Sequence, residues 1–216
     1  MSERSSIVIR HFGCCEYRLV TGEMRAWTHQ RSCSTCDEMW VLEHLPVYSR
    51  GISCRDIPRN AHIPVVDSDR GGQITYHGPG QIVCYFLLDL RRLGLGIRNL
   101  IHLIEHAVVR MLNDYQVIAE TKEGAPGVYV KESKVAAIGF RIHRGRCYHG
   151  LSLNVDMDLS PFQSIDPCGY KGLQVTQLKD LGIKEGLPQI CSRLTELLIF
   201  DLGYEKIVTG KSEFPI

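Results

Sequence analysis

Four side chains have types and surroundings that suit covalent or proton-transfer chemistry. Cys168 sits in Asp166-Pro-Cys-Gly-Tyr170, held between a proline and a glycine and outside any periodic apolar pattern. A core cysteine normally lies inside a strand or helix, as Cys84 and Cys191 are expected to; a cysteine on a Pro–Gly turn is positioned to be reached. To act as a nucleophile it needs its thiolate, and a nearby cation lowers the free thiol pKa of about 8.5. Lys134 is the candidate cation, because it opens the apolar β run Val135-Ala-Ala-Ile-Gly139, where a lysine can point inward. His77 and His149 each precede a glycine and could position a substrate or move a proton. Each of the four also has a plain structural reading. The cysteine could be a packed thiol, the lysine a solvated hairpin edge, and the histidines hydrogen-bonded strand ends. Residue type alone leaves both readings open.

These residues need a frame. The most unusual stretch is Arg70-Gly-Gly-Gln-Ile-Thr-Tyr-His-Gly-Pro-Gly-Gln81, which reads as a glycine-dense loop between two apolar runs, His62–Val66 and Ile82–Leu88. Glycines let backbone approach a ligand closely or take positive φ. A polar loop carried on rigid strands is a common way to build a site. We therefore expect this loop to floor the site.

The remaining elements follow from periodicity. Ser6–Arg10 reads as a short strand, Cys15–Gln30 as a helix weakened by Gly22, and Met39–Glu43 as a core strand. The clearest helix starts after Gly96, with Ile97, Leu100, Ile101, Ile104, Ala107, Val108, Met111 and Leu112 at three- and four-residue spacing. Its polar face is expected to carry His102, Glu105 and His106. His102 and His106 are four apart, which is metal spacing, but Glu105 does not directly follow His102, so the HExxH motif fails. Val117–Ala119, Gly127–Val130, Lys134–His143 and Cys147–Val155 read as strands, the last three joined by hairpin-length links. Ser160-Pro161-Phe162 opens a turn. Val175–Leu181 and Leu187–Leu202 read as helices, and the tail from Tyr204 adds a small strand. Strands and helices mix without strict βαβ alternation, which predicts an α+β fold, one domain over 1–216.

Composition excludes several classes. A chain of 216 residues with 44% hydrophobic and 23% charged residues can bury its own core, and a net charge of +1 provides no bulk field toward nucleic acid or membrane. Any charge preference must be local, as in the segment 131–146, where Lys131, Lys134, Arg141, Arg144 and Arg146 face Glu132 alone. Nine scattered cysteines, without an apolar leader or a membrane-length apolar run, point to a reduced cytoplasmic protein with most thiols in the core. Cys33-Ser-Thr-Cys36 lacks a second ligand pair at metal spacing and reads as loop. No metal or cofactor is expected.

Taken in order, Arg70–Gln81, Lys134-Val-Ala-Ala-Ile-Gly139, His149-Gly-Leu-Ser-Leu-Asn-Val155 and Pro167-Cys-Gly169 resemble the lipoyl(octanoyl) transferases, and Glu43–Gly51 extends the likeness over nearly the whole chain. Leu45 and Ser152 depart from the family pattern, which usually has proline and alanine there. The resemblance implies a fold shared with the catalytic domains of biotin and lipoate protein ligases, with a mixed, mostly antiparallel sheet flanked by helices. It implies transfer of octanoyl, or lipoyl, from acyl carrier protein to a lysine of lipoyl carrier domains, those of 2-oxoacid dehydrogenases and the glycine cleavage H protein. Cys168 would carry the acyl group as a thioester. Lys134 would lower the Cys168 pKa and shuttle protons, with His149 in support. Substrate would be bound by Arg70, Gly71, Gly72, Gln73, Ile74, Thr75, Tyr76 and His77, by Ala137, Ile138 and Gly139, and by Gly150, Leu151 and Ser152.

The donor is itself a thioester, so transfer to Cys168 is nearly isoenergetic and needs no ATP. Backbone N–H groups near Gly71, Gly139 and Gly169 could hold the oxyanion. Two other readings compete. An ATP-dependent lipoate or biotin ligase would use the same fold without a cysteine nucleophile, although the biotin ligase run Gly-Arg-Gly-Arg-x-Gly-Arg is absent. A non-catalytic carrier-binding protein would not need Cys168 and Lys134.

Overall fold

The computed structural model describes residues 6–59, 62–166 and 172–213. In chain order its strands are β1 (Ser6–Cys15), β2 (Asp37–His44), β3 (Val47–Arg50), β4 (Val65–Asp67), β5 (Ile74–His77), β6 (Gln81–Asp89), β7 (Glu120–Thr121), β8 (Gly127–Val130), β9 (Ser133–His143), β10 (Arg146–Asn154) and β11 (Lys206–Thr209). The helices are α1 (Tyr17–Gln30), the one-turn α2 (Leu90–Leu93), α3 (Ile97–Asp114) and α4 (Leu187–Leu202). Eight strands form one sheet in the order β11-β1-β2-β6-β10-β9-β8-β7, and β4-β3-β5 form a second, smaller one. In the large sheet β1 runs parallel to β2 and β11, and the other pairings are antiparallel.

The continuous apolar run of β6 explains the layering. A strand apolar at every position must bury both faces. Ile82, Cys84, Phe86 and Leu88 pack with Leu100, Ile104 and Val108 of α3 and with Ile190 and Leu194 of α4. Val83, Tyr85 and Leu87 pack on the opposite face with Val20, Met24 and Trp27 of α1. The small sheet continues this second layer through a separate cluster of Tyr48, Ile74, Tyr76 and Phe162. Helix ends follow simple chemistry. The Glu16 carboxylate accepts the Arg18 and Leu19 N–H groups at the start of α1, and Gly203, at φ +74°, closes α4 in the left-handed region.

Several expected elements differ. β1 runs five residues past Arg10. The stretch Arg70–Gln81 is not all loop, because Ile74–His77 pairs with β3 as β5. Val117–Ala119 is not a strand: Gln116 turns at φ +60°, the Val117 N–H caps Leu112 and Ile118 is exposed, so pairing begins at Glu120. Val175–Leu181 is not an α-helix. Its start is bound to β9, with the Lys134 N–H donating to Gln174 O and the Thr176 N–H donating to Lys134 O, both at 2.9 Å. Only a 3-10 turn at Lys179–Leu181 remains. Glu105 is not on a solvated face; it is buried and accepts the Gly127 N–H at 2.8 Å. Thiols are mostly not in the core either. Of the eight described cysteines only Cys84 and Cys147 are buried. No described helix is long and apolar enough to cross a membrane.

Candidate active site

The site is built where the glycine-rich segment crosses the middle of the large sheet. Gly71 donates its N–H to Phe140 O at 2.9 Å, which lays the segment over β9. A side chain at Gly51 would meet Gly72 O at 2.3 Å, so these two backbones touch. Beneath them Gly150 of β10 pairs with Gly139 of β9, leaving the ladder bare of side chains at that point. The result is a cavity of 430 Å³, lined more by apolar than polar surface.

The cavity gathers almost every residue expected from the sequence. Arg70, Gly71, Gly72, Gln73, Ile74, Thr75 and His77 form one wall, and Ala137, Ile138, Gly139, Gly150, Leu151 and Ser152 form the floor, with Lys134 and His149 beside them. Tyr76 is the exception. Its ring packs away from the cavity, in a cluster with Tyr48 and Phe162 at ring distances of 5.6 and 5.5 Å. Cys168 lies outside the described residues. Sequence reasoning missed Tyr17, Val83, Tyr85, Ile97, Ile101, Pro126 and Phe140, which also line the cavity. Ile97 and Ile101, four apart on α3, carried a signal only as core positions.

Lys134 is buried, at 3% exposure, near the start of β9. Its Nζ donates to Pro126 O at 3.1 Å and stands 5.0 Å from the Tyr129 ring centre. Gly127 makes the space: it sits at φ +134°, and a Cβ there would come within 3.4 Å of that Nζ. The basic segment 131–146 is therefore not one patch. Lys134 points inward, and Arg146 is spent on Arg31 O and Asp89, which leaves Lys131, Arg141 and Arg144 at the surface.

An ordered polar chain holds the wall. Arg70 Nη2 donates to Ser49 O at 2.6 Å and to Ser49 Oγ at 2.9 Å. Ser49 Oγ meets His77 Nε2 at 3.1 Å, and His77 Nδ1 meets Gln81 Oε1 at 2.7 Å. Gln81 donates to Asn154, which donates to Thr176 O, the residue bonded to Lys134 through its N–H. Since the Gln81 oxygen can only accept, His77 Nδ1 carries the proton and Nε2 accepts from Ser49. Burial, helped by the neighbouring His44, holds the His77 pKa well below its usual value, so the ring is neutral. His44 is likewise buried and pushed down to about 4, although its hydrogen bond with Cys15 O opposes the shift. Among the described residues no group of three or more metal-ligating side chains is present.

The α+β sheet with its flanking helices is the fold of the lipoate and biotin protein ligases. A lipoate-protein ligase A structure with bound ATP superposes with a TM-score of 0.75 at 12% identity, covering 96% of this chain and 88% of that one. A bipartite lipoate protein ligase from Thermoplasma acidophilum gives 0.75 at 13%, covering 97% and 87%. A biotin protein ligase from Aquifex aeolicus with biotin and ATP gives 0.58 at 13%, covering 92% and 70%. Within that fold the chain belongs to the lipoyl protein ligase A/B catalytic domain family, whose pattern matches residues 25–196. Similar relatives include octanoyltransferases from Nitrosomonas europaea, 48% identical over 91% of this chain and 98% of the relative, and from Aromatoleum aromaticum, 50% identical over 89% and 84%. The enzyme class expected from the sequence, an acyltransferase, agrees with these relatives' names.

Proposed function

We propose that this chain is an octanoyltransferase acting as one catalytic domain over 1–216 in the cytoplasm. It takes octanoyl, or lipoyl, from acyl carrier protein and passes it to a specific lysine of lipoyl carrier domains, those of 2-oxoacid dehydrogenases and the glycine cleavage H protein. The observation that carries this reading is the apolar cavity with buried Lys134 in its wall. Family membership and the octanoyltransferase relatives support it.

In this reading Cys168 is the nucleophile. Its thiolate attacks the donor's thioester carbon, the carrier sulfur leaves with a proton from Lys134, and the acyl group rests on Cys168. The acceptor amine then attacks the acyl carbon, the Cys168–acyl bond breaks with the Cys168 thiolate leaving, and the amine's proton passes to the now neutral Lys134 acting as base. Chain connectivity favours the pairing: Cys168 precedes Gln174 by six positions, and Gln174 is hydrogen-bonded to the backbone of Lys134. The cavity takes the alkyl chain, with burial of each methylene contributing about 0.8 kcal/mol.

Intact mass of the chain after incubation with octanoyl carrier protein, without ATP, tests the reading. An octanoyl adduct is expected, and it should vanish in Cys168→Ser. Transfer only from free acid plus ATP would instead identify a ligase, a reading the ATP-bound structural relative keeps in play. No transfer in either condition would indicate a binding protein.

A further inference from the structure

Glu105 is a buried acid that the transfer chemistry above does not use. It sits among the polar positions of α3, yet it is only 3% exposed. Taking a carboxylate out of water is costly unless strong partners hold it, so its partners matter. Oε1 accepts the Gly127 N–H at 2.8 Å. Oε2 stands 3.4 Å from Nδ1 of His102, which reaches in from solvent.

The Gly127 N–H belongs to the peptide unit that joins Pro126 to Gly127. The carbonyl of that same unit, Pro126 O, accepts the hydrogen bond from Lys134 Nζ at 3.1 Å. The unit is trans, so its N–H and its carbonyl point in opposite directions. One peptide therefore stands between the lysine and the carboxylate, with each group on its complementary end. Hydrogen bonds in series polarise one another, and burial strengthens them. Negative charge on Glu105 draws on the N–H, enriches the carbonyl oxygen and makes it a better acceptor for the Lys134 ammonium. Gly127 allows the close fit: a Cβ there would stand 2.4 Å from Ala136 O and 3.2 Å from Lys134 Cε.

Other polar groups face Lys134 as well. The Tyr129 ring of β8 lies 5.0 Å from Nζ, and its hydroxyl donates to Ala125 O at 2.9 Å. Lys122 stands 4.7 Å from the same ring, and Glu132 offsets its charge. The segment at 174–176 meets Lys134 with backbone groups. Arg70 and the neutral His77 and His149 line the same cavity. Glu105 adds a negative charge behind the peptide that Nζ binds.

We propose that Glu105 is a positioning residue for Lys134. Through the Pro126–Gly127 peptide it holds Nζ in place and stabilises the ammonium that hands a proton to the departing carrier sulfur. The task given to Lys134 rests on the acyl-transfer reading above.

The test is the pH profile of kcat/KM with octanoyl carrier protein, in the wild type and in Glu105→Gln. The glutamine oxygen still accepts the Gly127 N–H, so the variant removes the charge and leaves the hydrogen bond. Two hydrogen bonds and one peptide put the charges on the order of 8 Å apart. Without the carboxylate the ammonium is less favoured, so the alkaline limb is expected to move down by roughly 1 to 1.5 pH units. An unmoved or raised limb, in a variant whose urea melt shows it folded, overturns the proposal. The wild-type chain gives a second reading that needs neither the variant nor turnover. Followed by NMR, the Gly127 amide nitrogen is expected to shift with the same midpoint as the Lys134 side chain. A Gly127 resonance that stays still while Lys134 titrates overturns the coupling. A wild type that takes no octanoyl fails the transfer reading instead, and the two resonances still decide the coupling.

Discussion

A lysine beside a hairpin turn usually ends in water, and Lys134 does not. Gly127 clears the space, Pro126 O takes a hydrogen bond from Nζ, and the Tyr129 ring flanks it. Burying an ammonium group without a task is costly, so this placement favours a chemical role. Lys134→Ala is expected to slow acyl transfer about 10²- to 10⁴-fold, the usual scale for a lost general base. It should also move the pH profile of Cys168 alkylation upward, and an unchanged profile would remove the lysine from thiolate stabilisation. Lys134 was readable as inward-pointing because an apolar β run follows it. Asp69 was not, since one carboxylate before an arginine looks like any solvated surface acid. Its significance depends on His149, eighty positions later in the chain, whose Nε2 lies 2.7 Å from its carboxylate.

At the scale of elements, the site depends on strands that lack side chains where they cross. Gly139 and Gly150 are cross-strand partners, but they tolerate change differently. A Cβ at Gly139 would stand 3.1 Å from Gly71 O, tight yet adjustable. A Cβ at Gly150 would stand 2.2 Å from Cys84 O and 2.6 Å from the Phe86 ring. Gly139→Ala is therefore expected to fold and to narrow the cavity, lowering kcat/KM for decanoyl more than for octanoyl or hexanoyl. Gly150→Ala should lose at least about 1–3 kcal/mol of stability by overpacking, read from urea melts. Equal losses for all chain lengths in Gly139→Ala would show that the ladder does not shape the acyl channel. The elements themselves were legible where periodicity was strong: α4 matches its expected bounds, and α3 differs by only a few residues. The helix expected over Val175–Leu181 failed because its backbone groups pair with β9, a partner forty residues away that no local pattern reveals.

For the whole molecule, burying three neutral histidines between the two sheets ties stability to pH. His44, His77 and His149 all have pKa values lowered chiefly by burial, His44 to about 4. Unfolded histidine titrates near ~6.5. Between the folded and unfolded values the unfolded chain holds the proton and the folded chain does not, so stability falls as pH drops from about 6.5 toward 4. Each group contributes a slope of up to about 1.4 kcal/mol per pH unit. Asp69 acts lower: its depressed pKa adds stability above about 3.9 that is lost as pH falls toward 2. Urea melts from pH 7.5 to 4.5 are expected to show the histidine loss, and a flat profile across that range would show that the rings are not buried neutral in solution.

The sequence by itself determined the α+β mixture of strands and helices and the glycine-rich segment, while the identity of most cavity residues came from the family resemblance of its motifs. Apolar periodicity and glycine density are local properties, and each dictates where backbone and side chains can go. Tertiary structure alone decided that Tyr76 packs away from the cavity, that the basic segment splits, and that His149 meets Asp69. Those outcomes depend on hydrogen bonds and burial between residues distant in the chain, which spacing does not encode. The glycine-rich stretch shows both sides: its composition marked it as a site, and only its crossing over Gly139 and Gly150 made it the wall of a 430 Å³ cavity.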